Sequence, residues 1–325
     1  MRVLIVGTGS IGRRHMANLR RCVPEVAFDV LREPGRPMTT DGLGAVTVST
    51  TLEAALDQSP ALIVVANPSS LHLRPLLAAI ERGVPFYAEK PLVASGDDLQ
   101  RLRQVAARPG LPPHIVGCNL RFLPSLQRLK QLIASGELGR IVRAGFEAGQ
   151  WLPDWRPAQD YRRGYSAHSA LGGGVLLDLI HEIDAARWLL GEFTQVHALS
   201  GHLSSLEIDS EDCACLLLGR PGGPLTSVQL DYVSRRPVRR YVIVGDRATA
   251  EWDLPRRKLT VARGDGVEAI DLPPSAFDVG ETYPAAMREL LDAMAAGRPT
   301  SQPIEEGLRA LDIVMRARAA ADQTR

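Results

Sequence analysis

Three stretches of the 325-residue sequence carry residue types and spacings that could do chemistry. The first is VGTGSIG, residues 6–12, a Gly-x-Gly-x-x-Gly string near its start. In such a string Gly7 permits a tight turn, Gly9 lets the backbone approach a pyrophosphate, and Gly12 lets a helix pack close to a strand. The second is AEKPL, residues 88–92, in which Pro91 fixes its own φ and restricts Lys90 before it. A lysine held on such stiff backbone can donate to a hydroxyl or carbonyl, and desolvation beside another cation would lower its pKa toward the working range. Taken alone, such a lysine is more often a surface ion-pair residue than a catalytic one. The third is GGGVLLDLIHEID, residues 172–184, where Asp178, His181 and Asp184 recur every three positions. Positions i and i+3 share a helix face, so one pocket could hold them. A histidine and two aspartates among Leu176, Leu177, Ile180, Ile183, Trp188 and Leu189 need partners or a polar cavity. The plainer alternative is an amphipathic helix with its polar side in water.

The elements that must position these residues alternate in type. RVLIV (2–6) is a continuous apolar run, as in a parallel strand buried on both faces, and a helix is predicted over 10–21. Further strands are predicted at 26–31, 45–48, 61–66, 84–88 and 114–118, with helices starting at Thr51 and spanning 69–82 and 97–107. This alternation predicts an α/β fold with an open parallel sheet, whose ligands bind beyond the carboxyl ends of the strands. The glycine string then lies between strand and helix. Gly7, Gly9, Ser10, Ile11 and Gly12 become candidate cofactor residues, because a helix N-terminus offers free N–H groups and a positive dipole end to phosphates. A purely structural glycine turn is the alternative. At the end of the second strand, LREPGR (31–36) puts Arg32 where a 2′-phosphate would lie, with Arg36 able to join it. Glu33 keeps NAD open, and both arginines could be plain surface charge; the balance favours NADP.

The bulk composition narrows the classes. A net charge of +1 gives no electrostatic case for nucleic acid or an anionic membrane. No segment approaches the roughly 18 apolar residues of a membrane helix, and the apolar N-terminal run is too short for a signal peptide. Four cysteines show no metal spacing; Cys213 and Cys215, two apart in a strand-like run, are expected to be small core residues. This suits a reducing, cytoplasmic setting. No metal site is expected.

Taken in order, GTGSIGRRH (7–15), ANPSSLH (66–72), AEKPL (88–92), NLRF (119–122) and GGGVLLDLIHEIDAARWLLG (172–191) resemble the Gfo/Idh/MocA family of NAD(P)-dependent oxidoreductases. The resemblance implies a Rossmann domain over residues 1–119. It implies a C-terminal α+β domain with a large, mostly antiparallel open sheet over 120–325, whose outer face joins subunits into a homodimer or homotetramer. It implies hydride transfer between nicotinamide and a secondary alcohol or ketone of a sugar or cyclitol. Asn67, Pro68 and His72 then belong to the loop near the nicotinamide ribose, although His72 is equally a helix-start residue bonding to backbone. Glu89 and Lys90 fall at the cofactor crevice, Lys90 matches the catalytic lysine, His181 the acid/base histidine, and Asp178 its carboxylate. In many members that Asp and His are four apart rather than three, so Asp178 and Asp184 both stand as partners, with Asp178 favoured. Two rival activities remain: a non-catalytic NADP-binding regulator, and an enzyme that recycles a tightly held cofactor.

Residues 150–174 (QWLPDWRPAQDYRRGYSAHSALGGG) hold two of the four Trp and two of the six Tyr. Aromatic faces with charged groups between them suit a polyhydroxylated small molecule. Arg121, Trp155, Arg156, Tyr161 and Tyr165, with Asp178 and His181, are the candidate substrate residues. A lid or subunit contact of the same composition is the alternative. This loop, with the HEID variant, resembles a subgroup associated with surface polysaccharides and nucleotide sugars, which points to an amino-sugar or nucleotide-linked substrate. The remainder predicts a helix over 124–134, strands at 141–149, 213–219, 225–233, 239–245, 248–254 and 258–262, and helices over 283–296 and 305–320.

Overall fold

The computed structural model describes residues 1–32 and 46–322. Strand β1 (Arg2–Val6), buried from Val3 to Val6, is the centre of a sheet with β2 (Ala27–Leu31), β3 (Val46–Ser49), β4 (Leu62–Val65), β5 (Phe86–Ala88) and β6 (His114–Val116). All neighbours pair parallel, in the order β3-β2-β1-β4-β5-β6. Helices α1 (Ser10–Cys22), α2 (Leu52–Leu56), α3 (Leu73–Glu81) and α4 (Gly96–Ala106) make the crossovers. The strand order reverses between β1 and β4, so the loops that leave their carboxyl ends, at Gly7 and Asn67, flank the crevice where such sheets bind ligands. Glu33 and Arg36 lie outside the described residues.

In the second unit, α5 (Pro124–Ala134), β7 (Ile141–Gly149), α6 (Val175–Asp178) and α7 (Ile180–Leu190) precede a run of strands. These are β8 (Gln195–Gly201), β9 (Cys213–Gly219), β10 (Leu225–Asp231), β11 (Val238–Gly245), β12 (Thr249–Asp253), β13 (Lys258–Arg263) and β14 (Gly266–Ala269). The eight strands order as β14-β13-β12-β11-β7-β10-β9-β8. Only β7 and β10 pair parallel among them, so the expected mostly antiparallel sheet is present. Period-two alternation buries one face, where α5, α6 and α7 pack. Phe146, Tyr241 and Trp252 stack along that face with ring centroids 4.7 Å apart at each step, and Trp252 Nε1 donates to Ser125 Oγ at 2.9 Å.

Several expectations need correction. The chain does not divide simply at residue 120. Residues 280–309, including α8 (Thr282–Ala296), cluster with 1–119 rather than with the second unit. The cause is local: α8 packs on α1, Val116 N–H donates to Gln302 carbonyl at 2.9 Å, and Thr300 Oγ1 donates to His114 carbonyl at 2.6 Å. Helix α9 (Ile304–Asp322) is shared between the two units. The helix expected to carry Asp178 and His181 together breaks at Leu179 into α6 and α7. Residues 150–174 are not without regular structure, because four short 3-10 turns occupy 152–155, 161–163, 165–167 and 169–171. Cys213 and Cys215 share a face, but Cys215 is exposed and Cys213 half-buried, so they are not core residues; no disulfide joins the four cysteines. Strands β8 and β14 had no prediction. Among the described residues no helix is long and apolar enough to cross a membrane, and no cluster of His, Cys, Asp or Glu is placed to hold a metal.

Candidate active site

The turn after β1 is built by its glycines. Gly7 has φ +97°, and a Cβ there would lie 2.7 Å from the Asn67 Cα and N atoms. A Cβ on Gly12 would be driven into the Gly7 carbonyl oxygen, whereas one on Gly9 would meet nothing within 4 Å. Gly9 is also the N-cap of α1, and no side chain caps that helix, in contrast to Thr51 on α2 and Ser95 on α4. The first-turn N–H groups, which include those of Ser10 and Ile11, have no intrahelical partner by construction. Close packing below, open space above and an uncapped positive helix end fit a dinucleotide pyrophosphate.

The turn after β4 is tied by its own side chains. Asn67 Nδ2 donates to Leu71 carbonyl at 3.2 Å, and His72 Nε2 donates to Asn67 carbonyl at 2.8 Å. Burial pushes the His72 pKa down, against the Asn67, Leu92 and Pro91 carbonyls and the Glu89 carboxylate, which favour the charged form. His72 is therefore a neutral strut that holds the Asn67 backbone, the plainer of its two readings. Asn67 Oδ1, next to half-buried Pro68, is buried without a hydrogen-bond partner among the described residues. Such an orphaned acceptor suits a hydroxyl of a bound ribose.

Lys90 follows β5 directly, half-buried, with a cis peptide to Pro91. Glu89 continues the ladder, its N–H donating to Val65 carbonyl at 2.9 Å. Its carboxylate is buried: one oxygen lies 2.6 Å from His15 Nε2 and the other accepts the Lys90 N–H at 3.3 Å. Glu89 thus ties α1 to the Lys90 backbone. His15 had no place in the sequence reading; its only signal was a histidine on the third turn-spacing of the glycine helix, three residues after Gly12. Arg32 follows β2 half-buried, its N–H bonded to Ser49 carbonyl at 3.0 Å.

In the second unit α7 is buried on every side from Ile180 to Arg187, so its polar residues must be matched. Asp184 receives Arg121 through two bonds, Nε to Oδ2 at 2.8 Å and Nη2 to Oδ1 at 2.5 Å, with Arg187 Nη1 at 3.6 Å. Arg187 also binds Glu192 at 2.6 Å. Glu182 lies 2.7 Å from Arg239 Nε and accepts from Tyr241 Oη at 3.2 Å. These partners fix the rotation of α7 and with it the direction of His181. The two aspartates differ in their partners: Asp184 holds Arg121 and Arg187, whereas Asp178 accepts from Tyr232 Oη at 2.6 Å. Arg121 is correspondingly buried in its ion pair with Asp184. Tyr232, also missed by the sequence reading, is fully buried, and burial followed by the Asp178 charge pushes its phenol well above the usual range, so it stays a donor.

The aromatic loop divides in the same way. Tyr165 Oη donates to Gly172 carbonyl at 2.6 Å, and Tyr161 Oη accepts the Glu207 N–H at 3.3 Å, so both hydroxyls shape the loop itself. Trp155 meets Tyr232 edge-on, with centroids 5.2 Å apart, and its buried Nε1 has no partner among the described residues. Leu152 N–H donates to Tyr232 carbonyl at 2.9 Å, which brings the start of the loop beside the Asp178 pair. Arg156 is exposed.

Comparison with known proteins now decides the family. Residues 1–116 match the model described as the oxidoreductase family with an NAD-binding Rossmann fold, and residues 126–251 match the GFO/IDH/MocA C-terminal domain. The chain belongs to the GFO/IDH/MocA oxidoreductases. It is 30% identical over 240 residues to inositol 2-dehydrogenase of Streptomyces avermitilis, covering 70% of this chain and 65% of that one. It is 30% identical over 174 residues to levoglucosan dehydrogenase of Pseudarthrobacter phenanthrenivorans, covering 52% and 44%. The chain thus matches about two thirds or less of the length of these curated relatives. A solved levoglucosan dehydrogenase in complex with NADH and levoglucosan superimposes with a TM-score of 0.85 at 21% identity, over 99% of this chain and 97% of that one. The UDP-N-acetylglucosamine 3-dehydrogenase of Acidithiobacillus ferrooxidans gives 0.78 at 21%, over 99% and 98%. These structural likenesses show the fold.

Proposed function

We propose that this member is an NAD(P)-dependent dehydrogenase or reductase acting on a secondary alcohol or ketone of a sugar, amino-sugar, cyclitol or nucleotide-sugar. The observation that carries the reading is the uncapped, glycine-cradled N-terminus of α1 in a sheet that also presents Lys90 directly after β5. The substrate class is supported by the names of the relatives. The glycine turn, Ser10, Ile11 and the Asn67-Pro68 loop would hold the dinucleotide, and the nicotinamide supplies or accepts the hydride when bound. His181 takes the substrate hydroxyl proton in oxidation and returns it in reduction. Asp178, which accepts from the Tyr232 hydroxyl, is the carboxylate proposed to orient His181. Lys90 donates to the same substrate oxygen and stabilises the negative charge that develops there. Trp155 and Arg156 are the loop groups left for the substrate. The test is a panel of sugars, cyclitols and nucleotide sugars with both cofactors, followed by nicotinamide absorbance. Turnover of at least one supports the reading, and tight cofactor binding with no hydride exchange across the panel contradicts it.

Cofactor choice rests on Arg32. A guanidinium at the end of β2 would pair a 2′-phosphate, so NADP is the proposed partner. Arg32→Ala is expected to weaken NADPH about 10-fold while NADH changes little, as read by cofactor fluorescence titration. Equal weakening of both would remove the basis for NADP. We also assign self-association to the outer face of β8, β9 and β10, where Leu199, Leu217 and Leu225 are 65%, 60% and 77% exposed. The Leu199→Glu, Leu217→Glu pair is expected to yield monomers in sedimentation, and an unchanged assembly would exclude this face.

A further inference from the structure

We propose that His15 is a positioning residue for Lys90, acting through Glu89, so that the glycine helix and the lysine turn are mechanically one piece. The inference rests on the reading of Lys90 given above. His15 is fully buried on α1, three residues past the glycine that touches the Gly7 carbonyl. Its Nε2 lies 2.6 Å from Glu89 Oε1, a direct hydrogen-bond contact. Glu89 Oε2 takes the Lys90 N–H at 3.3 Å, so one carboxylate joins the ring on α1 to the backbone that aims the lysine.

The surroundings leave Glu89 little else to do. His15 packs tilted against Tyr87, centroids 4.5 Å apart, and edge-on to Tyr283 at 6.0 Å, while the Arg14 guanidinium sits 4.8 Å from the Tyr283 ring. Burial, then the Glu89 charge, pushes the Tyr87 phenol well above its usual range and the Tyr283 phenol up as well; both stay neutral. Gly117 closes the side near β6: a Cβ there would lie 3.2 Å from both Glu89 Oε2 and the Tyr87 ring. The carboxylate therefore has a single seat. A buried carboxylate that loses its partner must swing, protonate or admit water, and any of these frees the Lys90 backbone. A lysine displaced by about 1 Å can lose on the order of 10²-fold in rate without any change in the groups that bind the dinucleotide.

The sequence holds three lysines, Lys90, Lys130 and Lys258, which makes a lysine-specific probe readable. Reductive ¹³C-methylation gives each a separate resonance in the full chain without substrate or cofactor. In His15→Ala the Lys90 signal is expected to shift or broaden while Lys130 and Lys258 stay in place, and His15→Gln, whose amide can still donate to Glu89, should restore most of it. An unmoved Lys90 signal in His15→Ala overturns the inference, as does movement of all three. Should the alanine variant fail to fold, His15→Asn, too short to reach Glu89, takes its place. The second arm measures turnover of the polyol and cofactor that the panel above identifies, and the dissociation constant of that reduced cofactor. His15→Ala should lower kcat about 10-fold or more with reduced-cofactor affinity within about 3-fold, and add nothing to the loss in Lys90→Ala. A full additional loss in the Lys90→Ala background overturns the positioning role. Wild-type kcat in Lys90→Ala itself would instead overturn the reading of Lys90, which the resonance arm does not depend on.

Discussion

Lys90→Ala and His181→Ala are each expected to lower kcat by roughly 10²-fold or more while the cofactor remains bound. The reason is a division of labour visible in the first unit. The dinucleotide is addressed by backbone, through the Gly7–Gly12 turn and the open end of α1, and neither substitution touches that turn. Lys90 adds a positive donor that matters as charge grows on the substrate oxygen, so its loss should fall on kcat more than on cofactor affinity. His181 has a different environment. It sits nearly buried on a helix whose other ionised groups, Glu182 and Asp184, are matched by Arg239, Tyr241, Arg121 and Arg187. In the proposed mechanism a side chain on so fixed a helix serves one proton transfer, and alanine would leave nothing to take the proton. Steady-state kinetics beside fluorescence titration of the reduced cofactor checks both substitutions. Near-wild-type kcat in both would remove these residues from the chemistry.

The largest effect on stability is expected at Asp184. Its carboxylate is 3% exposed against an Arg121 side chain 7% exposed, with Arg187 close by. Removing one partner of a buried pair leaves the other charge without compensation, at about 3–5 kcal/mol. Asp184→Ala should therefore unfold at markedly lower urea, and His181 should lose activity with it because α7 loses one of its anchors. Arg162, by contrast, binds Asp160 and Glu207 on the exposed loop. Its replacement by alanine should leave the urea midpoint nearly unchanged, since water already screens those contacts. A loss at Asp184 no larger than at Arg162 would contradict the account of α7.

How far the sequence went depended on the range of the interaction that decided each feature. The first sheet was readable because its strands are buried on both faces, so RVLIV and LIVV are continuous apolar runs, and the glycine turn marks itself by residue type. The second sheet was readable where alternation is strong, as in β10. It was missed at the edges, where β8 alternates weakly in QVHALSG and β14 is only GVEA, exposed throughout. The break at Leu179 has no Gly or Pro to signal it. Within the candidate site, local chemistry pointed to Lys90 and the glycines, and the family resemblance to Asn67. The partners that fix the rest come from far along the chain: His15 to Glu89 spans 74 positions, Asp178 to Tyr232 spans 54, and Arg121 to Asp184 spans 63. Spacing rules see neighbours on one helix, so they left both Asp178 and Asp184 open as partners of His181, and the tertiary contacts of each lay out of their reach. The same limit hid the pairing of Arg121 with Asp184 and the places of Tyr232 and His15.

Isotope transfer tests the central claim most directly. The purified chain is incubated with NAD or NADP and with inositol, levoglucosan or a nucleotide sugar carrying deuterium at the carbinol carbons, and the reduced cofactor is analysed by mass spectrometry. The account predicts a reduced nicotinamide heavier by one deuterium, formed by the wild type and nearly lost in Lys90→Ala and His181→Ala. Unlabelled or unreduced cofactor with every polyol, alongside tight cofactor binding, would contradict it.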